Sequence, residues 1–183
     1  IEKDKSLASL LQKKFGENIH IINEDVLNVD ENLLDKCKFT VFGNLPYNIS
    51  TEILCKWILN INDQKPWFDE LILMFQKEVA DRLLSEFNTN QYGRLSIIAN
   101  WKLNIKKICD IKPSCFFPKP KVDSSLLVFS LKKDFFKIKN PKNLEKITRV
   151  FFMHRRKMIK KAYNQLFNGN LYVASKLNID LNL

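Results

Sequence analysis

Four consecutive residues, Asn44-Leu45-Pro46-Tyr47, combine a side-chain carbonyl, a backbone carbonyl ahead of proline and an aromatic ring. Their types fit one demanding reaction. The exocyclic amine of adenine is a poor nucleophile because its lone pair is delocalised into the ring. Two acceptors aimed at its two N–H bonds favour the pyramidal form that can attack a methyl sulfonium. The Asn44 side chain can supply one acceptor and the Leu45 carbonyl the other. Proline at position 46 fixes its own φ and pushes residue 45 into an extended conformation, so the acceptors are held in place before reaction. Tyr47 offers a flat face for an extruded base, an interaction worth about 1–3 kcal/mol. Neither a metal nor a strong base is needed, since the product ammonium loses its proton readily. The plainer reading is a proline turn after a strand, with Tyr47 half-buried.

Such a turn must sit where strands end. Phe39-Thr40-Val41-Phe42 reads as a strand running directly into Gly43 and the turn, and a helix capped by Ser50 or Thr51 runs through Leu59, with Glu52 in its first turn. In an open α/β sheet, ligands bind beyond the carboxyl ends of the strands. The rest of the first two-thirds has the rhythm of parallel βα units. Ile1-Glu2 reads as a strand end, Lys5–Phe15 as a helix with Leu7, Leu10 and Leu11 on one face, and Gly16 as its stop. A strand is expected over Asn18–Ile22 and an acidic turn at Glu24-Asp25. Leu71–Phe75 reads as a buried strand, and Lys77–Phe87 and Tyr92–Trp101 as helices. Strand-like Ile105–Ile111 and Ser124–Leu131 flank a proline-rich loop, Lys112–Pro120. Beyond Leu131 the pattern is helical: Leu144–Met153, Arg155–Phe167 and Leu171–Leu177.

The 183 residues can form one core with a small appendage, so a domain over residues 1–131 and a second over 132–183 are expected. The formal charge is +10, and its distribution is uneven. Lys132 to Lys161 contains 12 Lys/Arg against Asp134 and Glu145, which accounts for the whole excess. A neutral body carrying a basic module implies a polyanionic partner, with Arg155, Arg156, Lys157, Lys160 and Lys161 as candidate phosphate contacts. Phe151, Phe152, Met158 and Leu166 read as that module's packing face. No apolar run is long enough to span a membrane, and the N-terminus does not look like a signal peptide, so a soluble, cytoplasmic monomer is expected. Cys37, Cys55, Cys109 and Cys115 lack metal-site spacing and read as reduced thiols in or near the core.

The stretch Gly43–Thr51 closely resembles the corresponding motif of the ribosomal RNA adenine dimethyltransferase family. Further matching blocks follow in order: Ile1–Asp4, Glu24–Leu27, Phe75–Ala80, Tyr92–Ser96, Phe117–Ser125 and the basic run His154-Arg155-Arg156-Lys157. The resemblance covers nearly the whole chain. It implies a Rossmann-like class I methyltransferase sheet with a small all-α C-terminal domain, S-adenosyl-L-methionine as cofactor, and ribosomal RNA in the small subunit as substrate and partner. It also implies roles for matched positions. Glu2 resembles the acid that accepts from the cofactor ribose. Asp25 resembles the carboxylate that reads the cofactor adenine, with the Val26 N–H beside it. Asn44 also borders the cofactor, and Phe117 is similar to the aromatic residue that holds the target base opposite Tyr47.

The pattern departs from the family in one respect. Such enzymes place closely spaced glycines between the first strand and the first helix, where backbone must approach the cofactor. The four glycines here (Gly16, Gly43, Gly93, Gly169) are far apart. The expectation is therefore a chain lacking the opening strand, loop and helix, about 30 residues or more, short also of the family's final helix, and inactive alone. Two other functions remain open. One is a large-subunit rRNA methyltransferase of the macrolide-resistance type, towards which Leu45 and Asp123 lean less. The other is a non-catalytic RNA-binding or transcription factor on the same scaffold. DNA adenine methyltransferases share a similar turn but fit the other blocks poorly.

Overall fold

The computed structural model describes residues 1–31, 38–153, 155 and 157–182. Helix α1 spans Lys5–Phe15 and is capped by Asp4, whose carboxylate accepts the Ser6 and Leu7 amides at 2.7 and 2.9 Å. It ends at Gly16, where φ is +56°, a left-handed value that glycine adopts without strain. Strand β1 (Phe39–Asn44) leads to α2 (Ser50–Asn60), β2 (Phe68–Gln76), α3 (Lys77–Leu84) and α4 (Arg94–Lys102). Then come β3 (Leu103–Ile111) and β4 (Ser124–Leu131), followed by helices α5 (Pro141–Met153), α6 (Ile159–Phe167) and α7 (Tyr172–Lys176).

The sheet order is β1-β2-β4-β3, and only the β1–β2 pair is parallel. Strands β1, β2 and β3 nevertheless run in one direction, as the rhythm of the first two-thirds suggests, and β4, inserted between β2 and β3, is antiparallel to both. The parallel β1–β2 pair is joined through the crossover helix α2, whereas the connection from β3 to β4, residues 112–123, carries no α-helix and returns the chain antiparallel. The expected strand over Asn18–Ile22 is absent. Residues 16–18 form a 3₁₀ turn, and the one ladder-like bond there is from the Glu2 amide to the Ile22 carbonyl at 3.0 Å. A strand needs a ladder of such bonds, and among the described residues this segment makes a single one.

The core forms where helices cover one sheet face. Leu71, Leu73 and Phe75 of β2 and Leu127 and Phe129 of β4 pack with Ile53, Leu54 and Ile58 of α2 and with Leu83 and Ile98 of α3 and α4. Central β2 is apolar on both faces, which explains its unbroken hydrophobic run. The Leu7 and Leu10 face of α1 is exposed, contrary to expectation, and Ala8 is that helix's buried residue. Met158 is likewise exposed rather than packed.

Helix boundaries moved where tertiary bonds intervene. Ser50 does not cap α2. It is the first helical residue, and its hydroxyl donates to the Tyr47 carbonyl at 3.2 Å. Helix α3 stops at Leu84 because the Ser85 hydroxyl donates to the Arg82 carbonyl. Helix α6 begins at Ile159 rather than at Arg155.

Candidate active site

The Asn44–Tyr47 turn lies at the carboxyl end of β1. Asn44 is the last strand residue, in register with Met74, and its side chain is exposed. Gly43 precedes it for a steric reason: a Cβ there would lie 2.6 Å from Leu73 Cδ2. The Leu45 side chain packs against the core, which anchors the turn from below, while Pro46 is exposed. The Ile49 amide donates to the Pro46 carbonyl at 3.1 Å and closes the turn. Among the described residues, nothing donates to the Leu45 carbonyl, so both proposed acceptors are available.

Tyr47 is half-buried, and its hydroxyl lies 2.6 Å from that of Ser124, a fully buried residue at the start of β4. Ser124 ends the loop that carries Phe117, whose side chain is fully exposed. The two candidate base-holding aromatics are therefore hung on elements that meet at the end of the sheet.

The candidate cofactor residues gather on a second loop cluster. Asn23 Nδ2 donates to the Glu2 carbonyl at 2.8 Å, and the Asp25 carboxylate pairs with Lys3 at 2.7 Å while accepting the Leu27 amide at 3.0 Å. The Lys3 ammonium, and then the Leu27 N–H, hold the Asp25 carboxyl below its ordinary value, so it is ionised. One oxygen of Glu2 accepts the Asp4 amide. A carboxylate has about four lone-pair sites, so each acid retains acceptor capacity. The Val26 amide is unbonded among the described residues. Two carboxylates and a free amide suit the ribose hydroxyls, amine and ring nitrogen of an adenosine group.

Lys56, which the sequence reading missed, ties this cluster to α2, the helix that follows the Asn44–Tyr47 turn. Its ammonium donates to the Val26 and Val29 carbonyls and pairs with Glu31 at 2.7 Å, and Glu31 also accepts from Trp57 Nε1 at 2.7 Å. Nothing in the spacing of these residues announced the contact.

The Tyr92–Ser96 block is a joint. The Ser96 hydroxyl accepts the Gly93 amide at 3.0 Å and donates to the Arg82 carbonyl at 2.7 Å. Arg94 pairs with Glu145 of α5 at 3.0 Å, and Arg149 pairs with the same carboxylate at 2.7 Å. A cleft of about 1000 Å³ opens here between α2, the α3–α4 connection and α5, lined by Cys55, Arg82, Arg94, Arg149 and Arg155. Arg155 is exposed, yet its guanidinium donates to the Asn90 and Thr89 carbonyls, so it also fastens the helical module to the body. Lys157, Lys160 and Lys161 are exposed. Arg156 and His154 lie outside the described residues. Among the described thiols, only Cys55 is buried. Cys109 and Cys115 are exposed, which corrects the core placement, and Cys37 lies outside the described residues.

The model of the family described as ribosomal RNA adenine dimethylase matches residues 1–183. The chain belongs to that family. Ribosomal RNA small subunit methyltransferase A of Pelagibacter ubique is 63% identical over 183 residues, all of this chain and 70% of that protein. The protein of the same name from Wolbachia pipientis is 42% identical over 170 residues, 91% of this chain and 62% of the relative. The chain thus spans between 62% and 70% of these relatives. A crystal structure of a dimethyladenosine transferase from Plasmodium falciparum superposes with a TM-score of 0.72 at 27% identity, covering 99% of this chain and 66% of that one. The 23S rRNA methyltransferase ErmE shares the fold, with a TM-score of 0.61 at 20% identity over all of this chain and 72% of its own. The dimethylase family has the Rossmann-like methyltransferase fold, and the sheet described above is part of it. The family's reaction class is methyl transfer to adenine in ribosomal RNA, with S-adenosylmethionine as the donor implied by the fold.

Proposed function

We propose that the protein carrying this chain methylates the exocyclic amine of adenines in small-subunit ribosomal RNA and so contributes to ribosome biogenesis. The exposed Asn44 side chain, at a strand end beside a tethered Tyr47, carries this reading. Similarity to proteins named for the small subunit favours that target over the large-subunit alternative. An amine-accepting turn of this kind also has no use in a purely RNA-binding factor.

In this reading Asn44 and the Leu45 carbonyl accept the two N–H bonds of the target amine. Pro46 keeps them in place, and electron density is drawn onto the nitrogen before attack. Tyr47 and Phe117 hold the extruded base from opposite sides. Glu2, Asp25, Val26 and Asn44 would hold S-adenosylmethionine, which supplies an electrophilic methyl group when bound. The proton released from the product leaves to solvent. Residues 1–131 form the catalytic part. Residues 132–183 form a module that meets RNA phosphates through Arg155, Arg156, Lys157, Lys160 and Lys161 and positions the substrate without reading sequence. The working form is a cytoplasmic monomer, which sedimentation with and without ribosomal particles tests.

The deciding experiment is transfer of a labelled methyl group to unmethylated small ribosomal particles. Asn44→Ala is expected to lower kcat by about 100-fold or more, as loss of a preorganised polar group does, while RNA affinity stays unchanged. Wild-type turnover by that variant rejects the acceptor role.

A further inference from the structure

Three consecutive residues at the start of β4 each make a different long-range side-chain bond. The Asp123 carboxylate pairs with Lys112 at 2.9 Å, and the Ser125 hydroxyl donates to Asp110 at 2.6 Å. These two bonds close the neck of the loop that carries Phe117. Between them, the Ser124 hydroxyl lies 2.6 Å from the Tyr47 hydroxyl, across 77 residues of sequence. The Asp123 carbonyl also accepts the Lys77 amide at 2.9 Å, which pins the neck to the end of β2.

We infer that Ser124 is a positioning residue for the proposed reaction, setting where the Tyr47 ring stands relative to the Phe117 loop. The inference rests on the reading of Tyr47 as a base-stacking residue. A phenol tethered at its oxygen cannot swing about Cα–Cβ, because that rotation carries the oxygen away from its partner, so the ring stays with the strand that holds it. Ser124 is 0% exposed and in register with Gln76 in the sheet, so the ladder fixes its backbone, and burial leaves its hydroxyl no water to exchange for the Tyr47 oxygen. Its neighbours close the Phe117 loop, so the same short stretch of β4 fixes both walls of the base site. Gly43 and Leu45 hold the other end of the Tyr47 turn against Leu73 and the core. The ring is thereby held at both its backbone and its oxygen.

The test is a double-mutant cycle on methyl transfer, using Ser124→Ala, Ser124→Thr, Tyr47→Phe and the Ser124→Ala/Tyr47→Phe pair, with thermal unfolding of each. Ser124→Ala is expected to lower kcat by about three- to tenfold, the equivalent of one neutral hydrogen bond, with KM for the methyl donor unchanged. Ser124→Thr, which keeps the hydroxyl, restores most of that loss. In the Tyr47→Phe background the alanine substitution costs nothing further, because the bond is already gone. Multiplicative losses in the pair, or an equal loss with threonine, overturn the positioning role. Tyr47→Ala tests the underlying reading separately: normal kcat in that variant removes base stacking itself. Additivity in the cycle with an inactive Tyr47→Ala rejects only the role of Ser124.

Discussion

The Lys56 ammonium stands 2.7 Å from the Glu31 carboxylate, whose residue is only 2% exposed, and so fastens the loop after Asp25 to the helix after Tyr47. Trp57 Nε1 reaches the same oxygen from the next position on that helix. Removing Lys56 leaves a buried acid with one neutral donor. Lys56→Met is therefore expected to destabilise the fold by about 2–4 kcal/mol, somewhat under the usual cost of breaking a fully buried pair because the lysine is partly wet. The midpoint of urea unfolding measures it, and a shift below about 0.5 kcal/mol assigns the pair no structural weight.

Acid should unfasten the Phe117 loop. The Ser125 hydroxyl, and then Lys107, hold the Asp110 carboxyl below its ordinary value of 3.8. A lowered folded value contributes stability that is complete above 3.8 and is lost as pH falls through the lower, folded one. Asp110→Asn is thus expected to be less stable than wild type at neutral pH, with the gap closing as the solution is acidified below that point. A gap that stays constant down to about pH 2 contradicts the linkage.

Phosphate contact by the basic module has a salt signature. Lys157→Ala, Lys160→Ala and Lys161→Ala should each weaken RNA binding on every sequence and reduce the slope of log affinity against log salt by about one. Arg155→Ala is different, because its guanidinium already serves the Thr89 and Asn90 carbonyls. That substitution should also lower the unfolding midpoint. Slopes unchanged in all three lysine variants exclude the module from the RNA interface.

Burial pushes the Cys55 thiol from an ordinary value of 9.0 up to about 11, so at pH 8 it holds almost no thiolate. Alkylation followed by peptide mass mapping should label the exposed Cys109 and Cys115 well before Cys55, and urea should abolish the difference. Equal native rates are the contrary result.

Local chemistry was legible from the residues. Pro46 and the strand before it predicted a stiff turn at a sheet end, Gly16 stopped α1, and the unbroken apolar run of β2 marked a central strand. The unequal charge of residues 132–161 likewise needed no coordinates. Each of these properties depends on neighbours a few positions apart, and φ restriction, helix period and charge density all act at that range.

What remained hidden joins distant positions. Tyr47 and Ser124, Lys56 and Glu31, Arg94 and Glu145, and Arg155 and Asn90 meet only because the sheet runs β1-β2-β4-β3 and three helices cover one face. The sequence by itself determined which groups are available for the proposed amine activation, and which segment carries the excess positive charge. Tertiary structure alone decided that Leu7 and Leu10 of α1 stand exposed, that residues 19–22 form no strand, and which buried serine meets the Tyr47 hydroxyl. The reason is that pairing and burial are settled by partners elsewhere in the chain, and a hydroxyl or carboxylate carries no local mark of the partner it will find.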